Sequence, residues 1–328
     1  MRKRNTGILR TLLITIAAVA ALLAVIIIAI KVFDIVRTDE DRKTASRFGL
    51  YVPADVGGHS LNVVSYGNDT GHTLVFLAGL GIEDMSITYR DMTDVLAKDN
   101  KIVFIDRAGY GLSDDTATPM DVENIVEDYR KALGSCGIEG PYVLVAHSLG
   151  GVYATFWEST HPEQIEGVVF LDSTQLREDT FPEGKLTNTH ERSEILMNKL
   201  GLFRFSVPGA EDIPEGEDLK GASSRLSYLI CNSSLWNEAM DSEYDLISSN
   251  CNKTWKKIAS NDIPKVYICA TWGSDTDQKY IDARENILKP YLAKMGNCDL
   301  VLLPGIHLIY EQRPVECAKI IEDLLKRI

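Results

Sequence analysis

Along most of this chain, short apolar runs alternate with amphipathic stretches, the pattern of strands buried on both faces alternating with helices. LYVPADVGGHSLNVVSYG, from Leu50, predicts an antiparallel pair turning at Gly57 and Gly58. HTLVFLAG and KIVFIDRAG supply a third and a fourth strand, with a helix over Ser86 to Lys98 between them. Thr118 then Pro119 predicts a helix start, a capping hydroxyl before a proline at the first helical position, and that helix runs to about Gly134. PYVLVAH is the fifth strand, GVYATFWESTHP a helix ending near Pro162, and GVVFLD from Gly167 the sixth strand. Alternation stops from about Ser173 to Ile263, where the chain is polar and mixed. It resumes with the strand KVYICATW, a helix around Asp282 to Met295, the strand DLVLLPG and a last helix from about Pro314. Such a series with right-handed crossovers builds one mostly parallel, doubly wound α/β sheet whose ligands collect at the carboxyl ends of the strands. The insertion, 173–263, then sits over that edge as a cap.

The amino terminus breaks the pattern. MRKRNTGILR precedes a run from Thr11 to Ile30 without a charge, long enough as a helix to cross roughly 30 Å of hydrocarbon. A cleaved signal peptide has a shorter apolar core with small residues beyond it, whereas Ala18 and Ala20 lie inside this run, so the segment reads as an uncleaved anchor. Arg2, Lys3, Arg4 and Arg10 favour a cytoplasmic start, although Lys31, Arg37, Arg42 and Lys43 follow the run; the clustering places the remainder outside the cytoplasm. The organisation expected is a tail and anchor over 1–33, a charged linker over 34–47, and one large domain over 48–328.

The formal charge of −13 offers no basic stripe to neutralise phosphates, which argues against a nucleic-acid partner. Six cysteines, at 136, 231, 251, 269, 298 and 317, lack metal-ligand spacing; Cys269 reads as a small buried hydrophobe, and Cys231 with Cys251 is the one pairing the sequence suggests. Asn68, Asn232 and Asn252 head glycosylation sequons, which carry meaning only in a eukaryotic host.

Ala146 to Gly151, AHSLGG, places Ser148 on the turn between the fifth strand and its helix. That is the Gly-x-Ser-x-Gly arrangement, in which a serine is held exposed on a strained turn by small neighbours; Ala146 stands at the first glycine, and Gly150 and Gly151 hold the far side. DRAGYGLSD, Asp106 to Asp114, reads as a tight scaffold loop supporting that turn, with Gly109 and Gly111 at its bends.

Four motifs in order, LAGLG, DRAGYGLSD, AHSLGG and GIHLIY, make the chain from about Leu50 to its end resemble an α/β-hydrolase, and GPYVLVAHSLGG through VVFLDST is similar to capped serine esterases, lipases and aminopeptidase-like enzymes. The resemblance implies a roster of roles. Ser148 is the nucleophile. His307, on the loop after DLVLLPG, is the general base. The amides of Leu149 and Leu80 form the oxyanion hole, with Ala78 where the common pattern has a histidine. The acid stands after the sixth or the seventh strand: Asp172 is preferred, Asp275 is the alternative, and Asp277 follows it. His147 is expected to be structural, and His59, His72, His161 and His190 to sit at surfaces or turns.

A serine nucleophile implies acyl transfer to water without a metal or organic cofactor, and sets aside aspartate-based dehalogenases and epoxide hydrolases. Ester hydrolysis of a small or lipid-like substrate is the first reading. An amide or iminopeptidase activity is the alternative, for which Glu183, Glu191 and Glu194 of the cap could bind a substrate amine or simply form a solvated face. A membrane-tethered binding protein on the same scaffold is the reading from another class. Oligomeric state is left open.

Overall fold

The structure is a computed structural model that describes residues 2–178, 180, 192–205, 213–234, 236–272 and 278–328. It opens on one helix, α1 (Arg2–Arg47), whose apolar part is exposed and, among the described residues, is the one stretch long and apolar enough to cross a membrane. The segment expected as a linker, 34–47, is the last part of this same helix. Its charges explain why: Lys31 with Asp34, Arg37 with Glu40 and Lys43 with Asp39 stand three or four residues apart and pair along the helix surface. The end of α1 is docked on the domain, with Ala45 buried and Arg42 reaching Asp114 at 2.7 Å.

Eight strands follow: β1 (Pro53–Asp55), β2 (Ser60–Gly67), β3 (Thr73–Leu77), β4 (Lys101–Ile105), β5 (Tyr142–His147), β6 (Ile165–Leu171), β7 (Lys265–Ala270) and β8 (Cys298–Leu303). They lie in the order β1-β2-β4-β3-β5-β6-β7-β8. β2 runs antiparallel to both neighbours, and the rest are parallel. The turn between β1 and β2 uses Gly57 and Gly58 at positive φ, 98° and 114°.

Alternate residues of the central strands feed two cores. Val75, Leu77, Leu144, Ala146, Val168 and Phe170 face α4 (Val122–Ser135) and α5 (Gly150–Thr160). Their neighbours Leu74, Phe76, Val143, Val145, Val169 and Leu171 face α3 (Arg90–Leu96) and α11 (Pro314–Leu325). Between β3 and β4 the expected single helix is split into α2 (Met85–Thr88) and α3, joined at Tyr89. The start of α4 also differs from expectation. Asp121, not Thr118, caps it, accepting from the Asn124 amide at 3.0 Å, because only Asp121 combines extended backbone with a carboxylate aimed at the first turn.

Within the insertion stand α6 (Arg192–Lys199), α7 (Leu219–Ser233) and α8 (Glu238–Lys257). Leu226 and Ile230 of α7 join one core layer, while Ile247 and Cys251 of α8 join the other. Helices on different layers cannot bring Cys231 to Cys251, and both are free thiols, as are the other four cysteines. The cap also meets α1: a Cβ built on Gly201 would lie 2.6 Å from that of Asp34. α9 (Gln278–Met295) and the short α10 (Ile309–Gln312) complete the chain.

Candidate active site

Ser148 follows β5 directly and takes φ of 49°, a left-handed conformation that costs an ordinary residue roughly 1–2 kcal/mol. Its surroundings leave no alternative. Its carbonyl accepts from Gly151 at 3.0 Å and from Thr174 at 2.9 Å. A Cβ on Gly150 would lie 2.4 Å from the Leu77 carbonyl oxygen, and one on Gly151 would lie 2.5 Å from the Ser173 Cβ. The strand and helix therefore close on each other where only glycine fits, while the Ala146 methyl is accepted in the core.

His307 Nε2 lies 2.9 Å from Ser148 Oγ, and its Nδ1 lies 2.8 Å from Asp172 Oδ2. A carboxylate only accepts, so Nδ1 carries the proton and Nε2 is left as the acceptor facing the serine hydroxyl. Asp172 sits directly after β6, is 4% exposed and has φ of 40°. Its second oxygen accepts from the Ala270 amide at 3.0 Å and from the Arg284 guanidinium at 2.7 Å. Both oxygens of the carboxylate are thereby engaged, with the imidazole on one and β7 and α9 on the other. Asp275 and Asp277 lie outside the described residues.

His147 supports this loop without entering the relay. Its Nε2 donates to the His307 carbonyl at 3.1 Å, and its ring lies 4.6 Å from that of His307. Burial first, then the neighbouring His307 charge, push its pKa down to about 4, so it is a neutral donor at ordinary pH. Trp272, at φ 53°, stacks on the His307 ring with centroids 6.0 Å apart.

Leu149 begins α5 beside the serine, and Leu80 stands on the loop after β3. That loop is pressed on the elbow: a Cβ on Gly79 would lie 2.8 Å from Ser148 Cβ and 2.9 Å from His147 Nδ1. Its carbonyls are held from behind by Arg107, which donates to Ala78 at 2.6 Å and to Gly79 at 3.0 Å. DRAGYGLSD is thus attached to the loop after β3 as well as to β2, through Asn62 and Asp106. Burial raises Asp106 to about 7 despite the hydrogen bonds from Asn62 and Leu112 that favour its charge.

A cleft of about 380 Å³ opens at the serine, lined among others by Thr174, Gln175, Trp272, Ile287 and His307. Sequence reasoning missed Arg284, Trp272 and the Arg107 contacts. Arg284 joins the site from 112 positions beyond Asp172, and no local pattern announces such a pairing. Of the remaining histidines, His59 is not a surface group: its side chain is 7% exposed and bound to Asp128 at 3.0 Å, an anchor between the β1–β2 turn and α4. His72 and His161 keep half-buried positions beside Glu166 and Glu163. His190, Glu183 and Glu191 lie outside the described residues, and Glu194 stands on α6.

A sequence model of the Alpha/beta hydrolase family matches residues 74–320. Over 324 residues the chain is 26% identical to the uncharacterised protein YbdG of Bacillus subtilis (strain 168), covering 97% of this chain and 98% of that one. Among solved structures, Est816, described as an N-acyl homoserine lactone degrading enzyme, superposes with a TM-score of 0.55 at 19% identity, covering 83% of this chain and 99% of its own. A loop variant of the haloalkane dehalogenase DbeA from Bradyrhizobium elkanii gives 0.52 at 15% identity, covering 84% and 95%. At such identities these two speak to the fold alone. The family match spans most of the domain and includes the elbow and the loop bearing His307: this chain belongs to the alpha/beta hydrolase family.

Proposed function

We propose that the protein is a serine hydrolase that cleaves a carboxylic ester of a small or lipid-like substrate through an acyl-enzyme. The observation that carries this reading is the continuous relay from Ser148 Oγ through His307 to Asp172, at 2.9 and 2.8 Å. Ser148 Oγ attacks the ester carbonyl as its proton passes to His307 Nε2, and Asp172 stabilises the imidazolium formed. The new Oγ–C bond creates an oxyanion that the amides of Leu149 and Leu80 receive. Collapse expels the alkoxide, which takes the proton from His307. Water then enters, His307 accepts one of its protons as the water oxygen bonds to the acyl carbon, and the Ser148–acyl bond breaks as His307 returns that proton to Ser148 Oγ and the acid leaves.

The serine distinguishes this site from carboxylate-nucleophile chemistry, so the likeness to a dehalogenase is one of scaffold. A binding protein would have no use for a buried aspartate committed to orienting an imidazole against a strained serine. The exposed apolar part of α1 supports a single membrane crossing, with the basic cluster at Arg2 to Arg4 on the cytoplasmic side and the hydrolase domain outside.

A panel of p-nitrophenyl esters of graded chain length, with proline amides alongside, tests the reading in the detergent-solubilised full chain. Esters are turned over and Ser148→Ala abolishes the turnover. Hydrolysis of the amides alone would refute ester cleavage.

A further inference from the structure

We propose that Arg107 is a positioning residue that fixes the peptide bearing the Leu80 amide, and that it is held in place by Glu243 of the cap helix α8. This rests on the hydrolase reading and extends it from the relay to the loop opposite. The two carbonyls that Arg107 binds, Ala78 and Gly79, are consecutive, and each is taken by a different terminal nitrogen. A planar trans peptide points its carbonyl and its N–H in opposite directions. A donor on the Gly79 carbonyl therefore sets the plane of the Gly79–Leu80 peptide, aims the Leu80 N–H away from Arg107, and polarises it. Only a guanidinium offers two terminal donors in a rigid fork.

The loop has no slack in which an error of position could be absorbed, because Gly79 already lies against Ser148 and His147. Arg107 is 2% exposed, and a lone buried cation would be driven out toward water. Glu243, whose side chain is fully buried, pairs with it at 3.0 Å. The hydroxyls of Tyr110 and Tyr153 donate to the same carboxylate, a terminal guanidinium nitrogen donates to it at 3.4 Å, and the Tyr110 ring lies under the guanidinium at 4.1 Å. Glu243 belongs to the cap, Tyr153 to the helix that begins at the elbow, and Arg107 to the loop after β4. One buried centre thus joins cap, elbow and oxyanion loop, and a cap shifted on the domain loosens the loop.

Arg107→Lys keeps the positive charge for Glu243 but has one nitrogen and loses the fork. Glu243→Gln keeps the shape while weakening the hold on Arg107. Both are assayed in the full chain with a p-nitrophenyl ester and with an alkyl boronic acid, which forms a tetrahedral adduct on the serine. Removing one oxyanion donor outright costs about 100- to 1,000-fold, so misplacing one by Arg107→Lys lowers kcat roughly 10- to 100-fold. KM stays within about twofold, boronate affinity falls with kcat, and Glu243→Gln changes the same quantities less, because the loss lies in the tetrahedral state. Wild-type kcat and boronate affinity in Arg107→Lys, or a rise in KM alone, would overturn the assignment. If Arg107→Lys does not fold, Glu243→Gln decides by the same ratio. Failure of the wild type itself to form a fluorophosphonate adduct on Ser148 would strike the hydrolase reading instead, which keeps the two distinguishable.

Discussion

Arg284 donates to Oδ1 of Asp172 at 2.7 Å, which leaves Oδ2 to His307 at 2.8 Å. The carboxylate is held at both ends, so its rotation cannot relax the imidazole. Asp172→Asn presents an amide that can hold His307 in the wrong tautomer, and kcat falls by about 10³- to 10⁴-fold with KM little changed. Asp275→Asn stays within about tenfold of wild type, since Asp172 already holds His307 Nδ1 and sets that tautomer. Steady-state kinetics on the two variants checks this, and equal small losses would refute the choice of Asp172.

Space at the oxyanion loop gives a second prediction. A methyl on Gly79 meets Ser148 Cβ at 2.8 Å and His147 Nδ1 at 2.9 Å, so Gly79→Ala pushes the loop off the serine and costs at least about 100-fold in kcat. Gly134→Ala is the control. That glycine lies in α4 with open space around its would-be Cβ, so the substitution stabilises the fold by roughly 0.4–1 kcal/mol and leaves turnover unchanged. Thermal unfolding and kinetics together separate the two.

The depressed pKa of His147 predicts a pH dependence of stability. The folded protein holds this group at about 4, against 6.5 for a free histidine, so the unfolded chain binds more protons between those values. The contribution of neutral His147 is intact above about pH 6.5 and is lost progressively as the pH falls through 4, by about 3 kcal/mol at most. Asp106, raised to about 7, has the opposite sign, losing stability as the pH climbs from its ordinary range through 7. The difference between wild type and His147→Gln isolates the first effect. Denaturant midpoints compared at pH 7 and pH 4.5 converge if His147 is the group responsible, and a constant gap contradicts it.

Much of this architecture was legible because it is local. Alternating apolar runs such as HTLVFLAG and GVVFLD announce buried strands, and AHSLGG announces a turn that only small residues permit. Asp172 was readable as the preferred candidate from its place at the end of β6, and it stands 2.8 Å from His307 Nδ1. What stayed hidden depends on contacts between distant segments. Arg107 and Glu243 are 136 positions apart, and Arg284 reaches Asp172 across 112 positions of chain. The charged stretch 34–47 misled for a different reason: a run of alternating charges reads equally as solvated linker or as paired helix, and docking of Ala45 and Arg42 on the domain favours the helix.

Covalent labelling with a fluorophosphonate probe, located by peptide mass spectrometry, reads out whether Ser148 is activated as an acyl-accepting nucleophile. One adduct per chain is expected, on Ser148, absent in Ser148→Ala and formed more slowly by orders of magnitude in His307→Ala. Folded wild type that takes up no label, or label on a serine other than Ser148, would contradict it.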